Sequence, residues 1–481
     1  MMKLLQNRSF LALWFIISIT AAIKAQTPQQ KVDSVFTLVK NCIDQKDAGG
    51  IYTLTGQALR KSITQDALHK FVEKELIPLG RIKSWALMSF TNGTAKYRLD
   101  FNEEALQLFM SLDETSKIET FLFEPYQALS PQKLQPVAST NPLVTDFDKQ
   151  LDTLARRYIQ KGNTVGLSIG VLQRGETHVY HYGETAKGNG QLPDANTLYE
   201  IGSITKTFTA TLLAWYVNAG KVKLTDSITH YLPDSVSSNS ALRGITLLNL
   251  ANHTSGLPRL PDNLLTSQTD KLDPYENYTV PLLFSYLKNC KLETSPGQVY
   301  DYSNLGAGLL GTILERVSGK PYERMVIDCI THPLHMQNTV LNLRPEQNGH
   351  LATVYNQEGG VTPTWHMNAL AAAGNLKSSL SDMLLYAKAN LDLQNTKLGK
   401  ALHLVQEVTF NKQQKVALGW HLIRVNGVEY YFHNGGTYGS SSFMVFNPAR
   451  QTAVVLLSNA AESVDATGAA VAQLCNALQL N

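Results

Sequence analysis

From residue 30 onward, apolar positions at helical spacing run over 32–43 and 64–79, and extended patterning follows over 82–89, 95–102 and 117–125. Helices followed by strands predict a small α+β unit. Between 128 and 142 the chain is rich in Ser, Pro, Gln and Asn and keeps neither period, so a linker between two domains is placed there. A helix is predicted next over 144–160, and then a hairpin, with strands at 165–173 and 177–182 joined by the turn Arg174-Gly175. Strand patterning returns only near the end, over 417–425, 429–433, 441–446 and 453–457, the last two joined by Asn447-Pro448. The roughly 230 residues in between read as mainly helical, with loops such as 253–262. Neither strand group can bury a face alone, so the two are predicted to meet in one antiparallel sheet. No internal repeat is present.

Composition adds size and compartment. The 481 residues are 43% hydrophobic and only 17% charged, which suits two folded domains with a large core. At the start, Lys3 and Arg8 precede an apolar run from Phe10 to Ile23 and a small residue, Ala25. This is the shape of a secretory signal, and cleavage is expected near Ala25. The run of about 14 residues is short of the roughly 20 that span a bilayer. The expected organisation is therefore a signal over 1–25, a small α+β domain over 26–127, a linker over 128–142 and a second domain over 143–481. The mature chain is expected to be soluble, periplasmic or secreted, without a stable membrane span.

Loss of Lys3, Arg8 and Lys24 leaves 39 basic against 39 acidic residues, a balance that argues against a nucleic-acid partner. Cys42, Cys290, Cys329 and Cys475 lie far apart, with no C-x-x-C pair and no cysteine placed to carry a lipid after the signal. Cys290 and Cys329 fall in apolar helix-like stretches and read as buried thiols. His253, His332 and His335 sit among turn residues and no H-E-x-x-H occurs, so they read as structural and no metal or cofactor is expected.

Three short motifs carry candidate chemistry. Ser203 precedes a helical stretch that stops at Gly220, and Lys206, three residues on, shares its face. A serine hydroxyl needs a neighbour to take its proton, which a lysine desolvated in an apolar site can do. The helix start offers free N–H groups to a developing oxyanion. Downstream, Tyr300-Asp301-Tyr302-Ser303-Asn304 reads as an irregular loop before a Gly-rich helix. There Tyr302, its pKa lowered by a nearby ammonium, is a candidate base, and Asn304 a candidate holder of a substrate amide. Finally, His433-Asn434-Gly435-Gly436 ends a strand, where small residues let the backbone approach a ligand. The Gly436 N–H is expected to join that of Ser203 in an oxyanion hole, and His433 to present a polar or cationic group to a substrate carboxylate. Trp365-His366-Met367 is a further candidate for the far side of the cleft.

In the order S-x-x-K, Y-x-N, H-x-G, these motifs resemble the β-lactamase-related serine hydrolases, which include class C β-lactamases, D-Ala-D-Ala carboxypeptidases of the penicillin-binding type, D-aminopeptidases and esterases. The resemblance runs from about Val144 to Leu478 and is supported by 198–206, by Asn252-His253-Thr254-Ser255-Gly256-Leu257, by Tyr302-Ser303-Asn304 with Gly306, by His332-Pro333-Leu334-His335-Met336, and by Ala373-Gly374-Asn375-Leu376 with Ser378. It implies an α+β fold of the β-lactamase/transpeptidase type, with the site between an antiparallel sheet and a helical lobe. It further implies acylation of Ser203, proton transfer by Lys206 and Tyr302, an amide contact from Asn304, and a sheet wall formed by His433, Asn434 and Gly435. One departure is His433, where true class C β-lactamases carry Lys. The front domain resembles small NTF2-like or cystatin-like modules.

The expected substrate is a β-lactam, a D-amino-acid peptide or an ester. A catalytically silent fold acting as a binding or sensor protein is the competing expectation, and the joint presence of Ser203, Lys206, Tyr302 and Asn304 speaks against it.

Overall fold

The computed structural model describes residues 27–91, 93–102, 104–126, 136–264, 270–425 and 427–477, so the expected signal segment lies outside the described residues. The chain divides into two compact units, 1–128 and 129–481.

In the first unit, Thr27 caps the Pro28–Asp44 helix through a reciprocal exchange with Gln30. That helix buries Val32, Phe36, Val39 and Ile43, a three-and-four spacing that places them on one face. The pattern read over 64–79 is helical to its end, as α-helix over Gln65–Phe71, a wider π turn over Val72–Leu76 and a 3-10 turn over Ile77–Leu79 that stops at Gly80 (φ +90°). Strands β1 (Ser84–Thr91), β2 (Thr94–Asp100), β3 (Ala105–Leu112) and β4 (Ile118–Pro125) form an antiparallel meander. Reading the sequence misses β3, because Ala, Leu, Gln and Met have little strand preference, and pairing with β2 and β4 on both sides sets its conformation. Phe36 stacks on Tyr97 at 4.1 Å, and the Tyr97 hydroxyl donates to Asp33 at 2.6 Å, which fastens the helix to the sheet.

In the second unit the two strand groups do meet. Strands β5 (Gly166–Gln173) and β6 (Glu176–Gly183) form the hairpin, and β11 (His421–Val425), β12 (Val428–Gly436), β13 (Ser441–Asn447) and β14 (Thr452–Ser458) come from the end of the chain. With the two-residue strands β9 (Phe410–Asn411) and β10 (Lys415–Val416) they form one sheet in the order β6-β5-β14-β13-β12-β11-β10-β9. The seam is β14 on β5, with Leu456 opposite Ile169. Every residue of β5 and β14 is buried because both faces are covered. Phe443, Val445, Val454 and Leu456 face the helices Asp146–Ile159 and Asp465–Ala477, while Met444, Phe446, Val455 and Leu457 face the helical lobe. Residues 138–140 run along β6, with the Gly183 N–H donating to the Ala138 carbonyl and the Thr140 N–H to the His181 carbonyl, both at 2.9 Å.

The Thr205–Asn218 helix lies inside the lobe, with Thr205 to Ala214 all buried. Phe208 stacks on Tyr386 at 4.2 Å, and Tyr386 in turn faces the buried ring of Trp420. The strand read over 417–425 is shorter than its pattern, because Ala417 to Trp420 close a turn that packs on this helix. A separate short pair, β7 (Leu198–Glu200) with β8 (Lys377–Ser379), delivers the chain to Ser203. Among the described residues no helix is long and apolar enough to cross a membrane, and all four cysteines are free.

Buried Tyr158 ties the Asp146–Ile159 helix to the far end of the sheet, its hydroxyl lying 2.9 Å from the Ser458 hydroxyl and 2.8 Å from the Glu462 carbonyl. Tyr158→Phe should lower stability by about 1–3 kcal/mol, since it strands buried polar groups without changing shape. Urea unfolding measures this, and an unchanged midpoint would show that the bonds do not hold this corner.

Candidate active site

Two close backbone approaches make the site. Gly202 (φ +48°) lies flat against β12, and a Cβ there would sit 2.7 Å from the Gly436 nitrogen. A Cβ on Gly435 would collide with the Ile201 carbonyl oxygen. The turn carrying Ser203 is thus pressed onto the end of β12 as only glycine permits. Glu200 reinforces the contact. Its buried carboxylate accepts from the Trp365 N–H at 2.7 Å, the Thr437 hydroxyl at 2.8 Å and the Ser440 hydroxyl at 3.4 Å, joining the strand before Ser203 to the β12–β13 turn. Burial raises the Glu200 pKa, and the nearby Lys377 opposes the rise.

Ser203 sits in a 3-10 turn that runs into the Thr205–Asn218 helix. The spacing of three brings Lys206 Nζ to 2.9 Å from Ser203 Oγ, and the same amine donates to the Ala373 carbonyl at 2.6 Å. Burial, with a smaller push from Arg259, holds the Lys206 pKa well below its usual value. Tyr302 lies across the amine, its ring 4.8 Å from Nζ. The expected lowering of the Tyr302 pKa is overturned. Burial pushes it up to about 12, against the smaller effects of the Ser203 hydroxyl and of Arg259.

The Tyr302-Ser303-Asn304 stretch is set by a helix cap. The Ser303 Oγ accepts from the Gly306 N–H at 2.8 Å, while its hydroxyl donates to the Pro258 carbonyl at 2.7 Å. Asn304 is therefore the first residue of the Asn304–Ser318 helix rather than part of a loop. It is buried and does not line the cavity, but its Oδ1 has no hydrogen-bond partner. His253, with φ +59°, accepts the Ser303 N–H on Nδ1 at 3.2 Å and lies 4.4 Å from the Tyr302 ring, so this structural histidine braces the tyrosine.

His433 needs the larger correction. Its side chain is 1% exposed, its Nδ1 lies 2.7 Å from the Asn434 carbonyl, and its Nε2 is unpartnered. Burial, reinforced by His421 and Lys206, holds its pKa well below the ordinary range, so it presents no cation to a ligand. Gly435, Gly436 and Asn434 do line the cavity, the Asn434 amide donating to Asp465 at 2.7 Å. Trp365 is absent from the lining; its ring lies between those of Tyr275 and Tyr438.

The cavity measures about 600 Å³, and Ser203, Tyr302, Arg259, His421 and Asp465 all reach it. A second cavity of about 550 Å³, with Trp215, Leu334, Leu385 and Leu398 in its wall, lies away from Ser203 and holds none of this chemistry. Reading the sequence missed Arg259, His421 and Asp465. Arg259 stands two residues beyond the quoted Asn252–Leu257 motif, whereas His421 and Asp465 arrive from a strand and a helix start that carry no local signal. His421 Nε2 lies 2.6 Å from the Tyr300 hydroxyl, and burial with the Lys206 charge lowers its pKa to about 4. Among the described residues no group of three His, Cys, Asp or Glu side chains is placed to hold a metal ion. A hydroxyl beside a buried amine and a protonated phenol, against a glycine-lined strand end, can pass a proton and form an ester to serine.

Comparison with known proteins places this geometry in context. The β-lactamase family model matches residues 151–477. A β-lactamase of Providencia stuartii is 28% identical over 348 residues, which cover 65% of this chain and 86% of that protein. The D-alanyl-D-alanine-carboxypeptidase/endopeptidase AmpH of Escherichia coli is 31% identical over 243 residues, covering 50% of this chain and 61% of that one. A solved class C β-lactamase superposes with a TM-score of 0.62 at 27% identity, covering 70% of this chain and 96% of its own. The family match, the fold and the serine–lysine–tyrosine geometry agree, and the chain belongs to the β-lactamase family of serine hydrolases.

Proposed function

We propose that this protein is an exported serine hydrolase that cleaves the amide bond of a D-amino-acid peptide through an acyl-enzyme on Ser203. The observation that carries this reading is the Lys206 amine, 2.9 Å from Ser203 Oγ in a site whose burial disfavours the ammonium form. As a free amine, Lys206 keeps one N–H on the Ala373 carbonyl and offers its lone pair to the serine proton. Ser203 Oγ then attacks the carbonyl carbon, and the Ser203 and Gly436 N–H groups receive the oxyanion. Tyr302, protonated at neutral pH, gives its proton to the leaving nitrogen as the C–N bond breaks and takes one back from Lys206. Water repeats the sequence on the acyl-enzyme and releases Ser203.

The names of the relatives bring both β-lactams and D-alanyl peptides into range. A peptide is favoured because His433 offers no charge where true class C β-lactamases carry Lys. We assign the 26–127 unit an accessory role, since the family match begins only at residue 151.

An intact-mass time course with a penicillin and with a D-alanyl thioester should show an adduct on the parent protein and none on Ser203→Ala. An adduct that survives in Ser203→Ala would sink the assignment. Lys206→Arg, whose guanidinium cannot shed its proton, should slow acylation by about 10²–10⁴-fold, and the buried unpaired charge should lower the melting temperature as well.

The depressed Lys206 pKa also fixes a sign. Between that value and the usual 10.5, the unfolded chain binds the proton that the folded chain has lost, so the Lys206 contribution to stability rises with pH. Urea midpoints of the parent should therefore gain on those of Lys206→Met as pH goes from 7 to 9. Acylation should rise at the lower edge of that window, where the folded-state amine itself loses its proton, and parallel midpoints in the two proteins would contradict the burial argument.

A further inference from the structure

The cavity away from Ser203 is walled by two helices that each turn an apolar stripe toward it. On the Leu380–Leu391 helix, Leu385, Lys388 and Ala389 stand three and four residues apart and line the cavity together. On the Lys397–Val405 helix, Leu398 and Leu402 do the same, and Trp215 closes the wall. Leu385 is 39% exposed although most of its helix is buried. A leucine left open over a concavity of about 550 Å³, within the roughly 300–1,000 Å³ of small-molecule sites, is apolar surface that a ligand can cover.

The polar groups at its mouth lean to one sign. Lys388 and Lys397 both line the cavity, and neither has an ion pair among the described residues. Asp392, the one acid among the described lining residues, already accepts from the Gln394 amide at 2.7 Å. The helix ends repeat the bias. At the close of the Leu380–Leu391 helix, the carbonyls of Lys388, Asn390 and Leu391 are met by the Asp392 N–H at 2.9 Å, the Gln406 amide at 2.9 Å and the Gln451 amide at 3.1 Å. At the start of the Lys397–Val405 helix, Thr396 takes the Gly399 and Lys400 N–H groups, while those of Lys397 and Leu398 have no acceptor among the described residues. The negative helix end is thus satisfied, and what stays free beside the apolar wall is two ammoniums and two N–H donors.

We propose that this cavity binds a free, single-chain fatty carboxylate, its tail against Trp215, Leu385, Leu398 and Leu402 and its head at Lys388 and Lys397. A neutral lipid leaves both ammoniums without a partner, and a compact anion leaves the apolar wall in water. Only a molecule with both parts matches the whole lining. The site stands apart from Ser203 and does not rest on the reading of its chemistry.

Calorimetric titration of the whole chain with octanoate, decanoate and dodecanoate tests this. One site is expected, tightening by on the order of tenfold for each two methylenes added. Decanoate should bind roughly 5- to 30-fold more tightly than decanol, and the double variant Lys388→Met, Lys397→Met should bring that ratio close to one. Leu385→Asp, which sets a negative charge in the wall, and Ala389→Phe, which fills it, should each abolish binding, with circular dichroism confirming the fold. Decanoate binding that survives both wall variants overturns the assignment, as does a parent that binds decanol as tightly as decanoate or binds neither. Cosedimentation with phosphatidylglycerol vesicles that needs Leu385 and the two lysines, in a protein blind to decanoate, overturns it in favour of a membrane contact.

Discussion

The amine of Lys206 is held where water scarcely reaches, and much of the second unit serves to keep it there. A lysine loses its proton near neutral pH only if its ammonium form is poorly solvated. That demands apolar surroundings on every side, and the Thr205–Asn218 helix supplies them by being buried around its whole circumference through Ala214. The Ala373 carbonyl then satisfies one N–H without supplying a counter-charge. An acidic partner at that position would have restored the ammonium. In this chain the nearest charge with a resolved effect is instead another cation, Arg259.

The same desolvation governs the neighbouring groups. His253, His421 and His433 all gather near Tyr302 and Lys206, and burial lowers the pKa of each. An arrangement that looks rich in bases is therefore mostly uncharged at neutral pH, and the charged groups reaching the cavity are at its two rims, Arg259 and Asp465. Glu200 shows the complementary solution. A carboxyl buried just before Ser203 is tolerable because one backbone N–H and two hydroxyls point at it, and the bonds that satisfy it also hold the β12–β13 turn in place.

What the sequence made legible follows the range of the interactions involved. The hairpin β5–β6, the last two strands β13 and β14 and the Ser203–Lys206 spacing are set by local periodicity and were readable within a residue or so, whereas β11 begins four residues later than its pattern and the two-residue strands β9 and β10 carry none. Strand β3 was not legible, because most of its residues have little strand preference of their own and two partners impose the conformation. The expectation of a charge on His433 failed for a related reason. Its residue type was visible, but its charge state depends on burial among groups from three separate segments. Asn304 was misplaced by one element because the cap that starts its helix is Ser303, whose hydroxyl is occupied by a carbonyl 45 residues earlier in the chain. Arg259 was overlooked since an arginine in a loop is ordinary until its neighbours are known.

The seam between β5 and β14 has a consequence for how the molecule comes into being. Strand β5 is buried over its whole length, yet the partner that covers its edge lies almost 300 residues later in the chain. During synthesis that apolar edge must stay unpaired until nearly all of the chain has emerged. This is the kind of non-local closure that folds slowly and invites aggregation while it waits. The wall opposite Ser203 is built from β12, also late in the chain. The segment that carries the serine is therefore synthesised before the surface it works against, and the wall facing it can be completed only with the late strands.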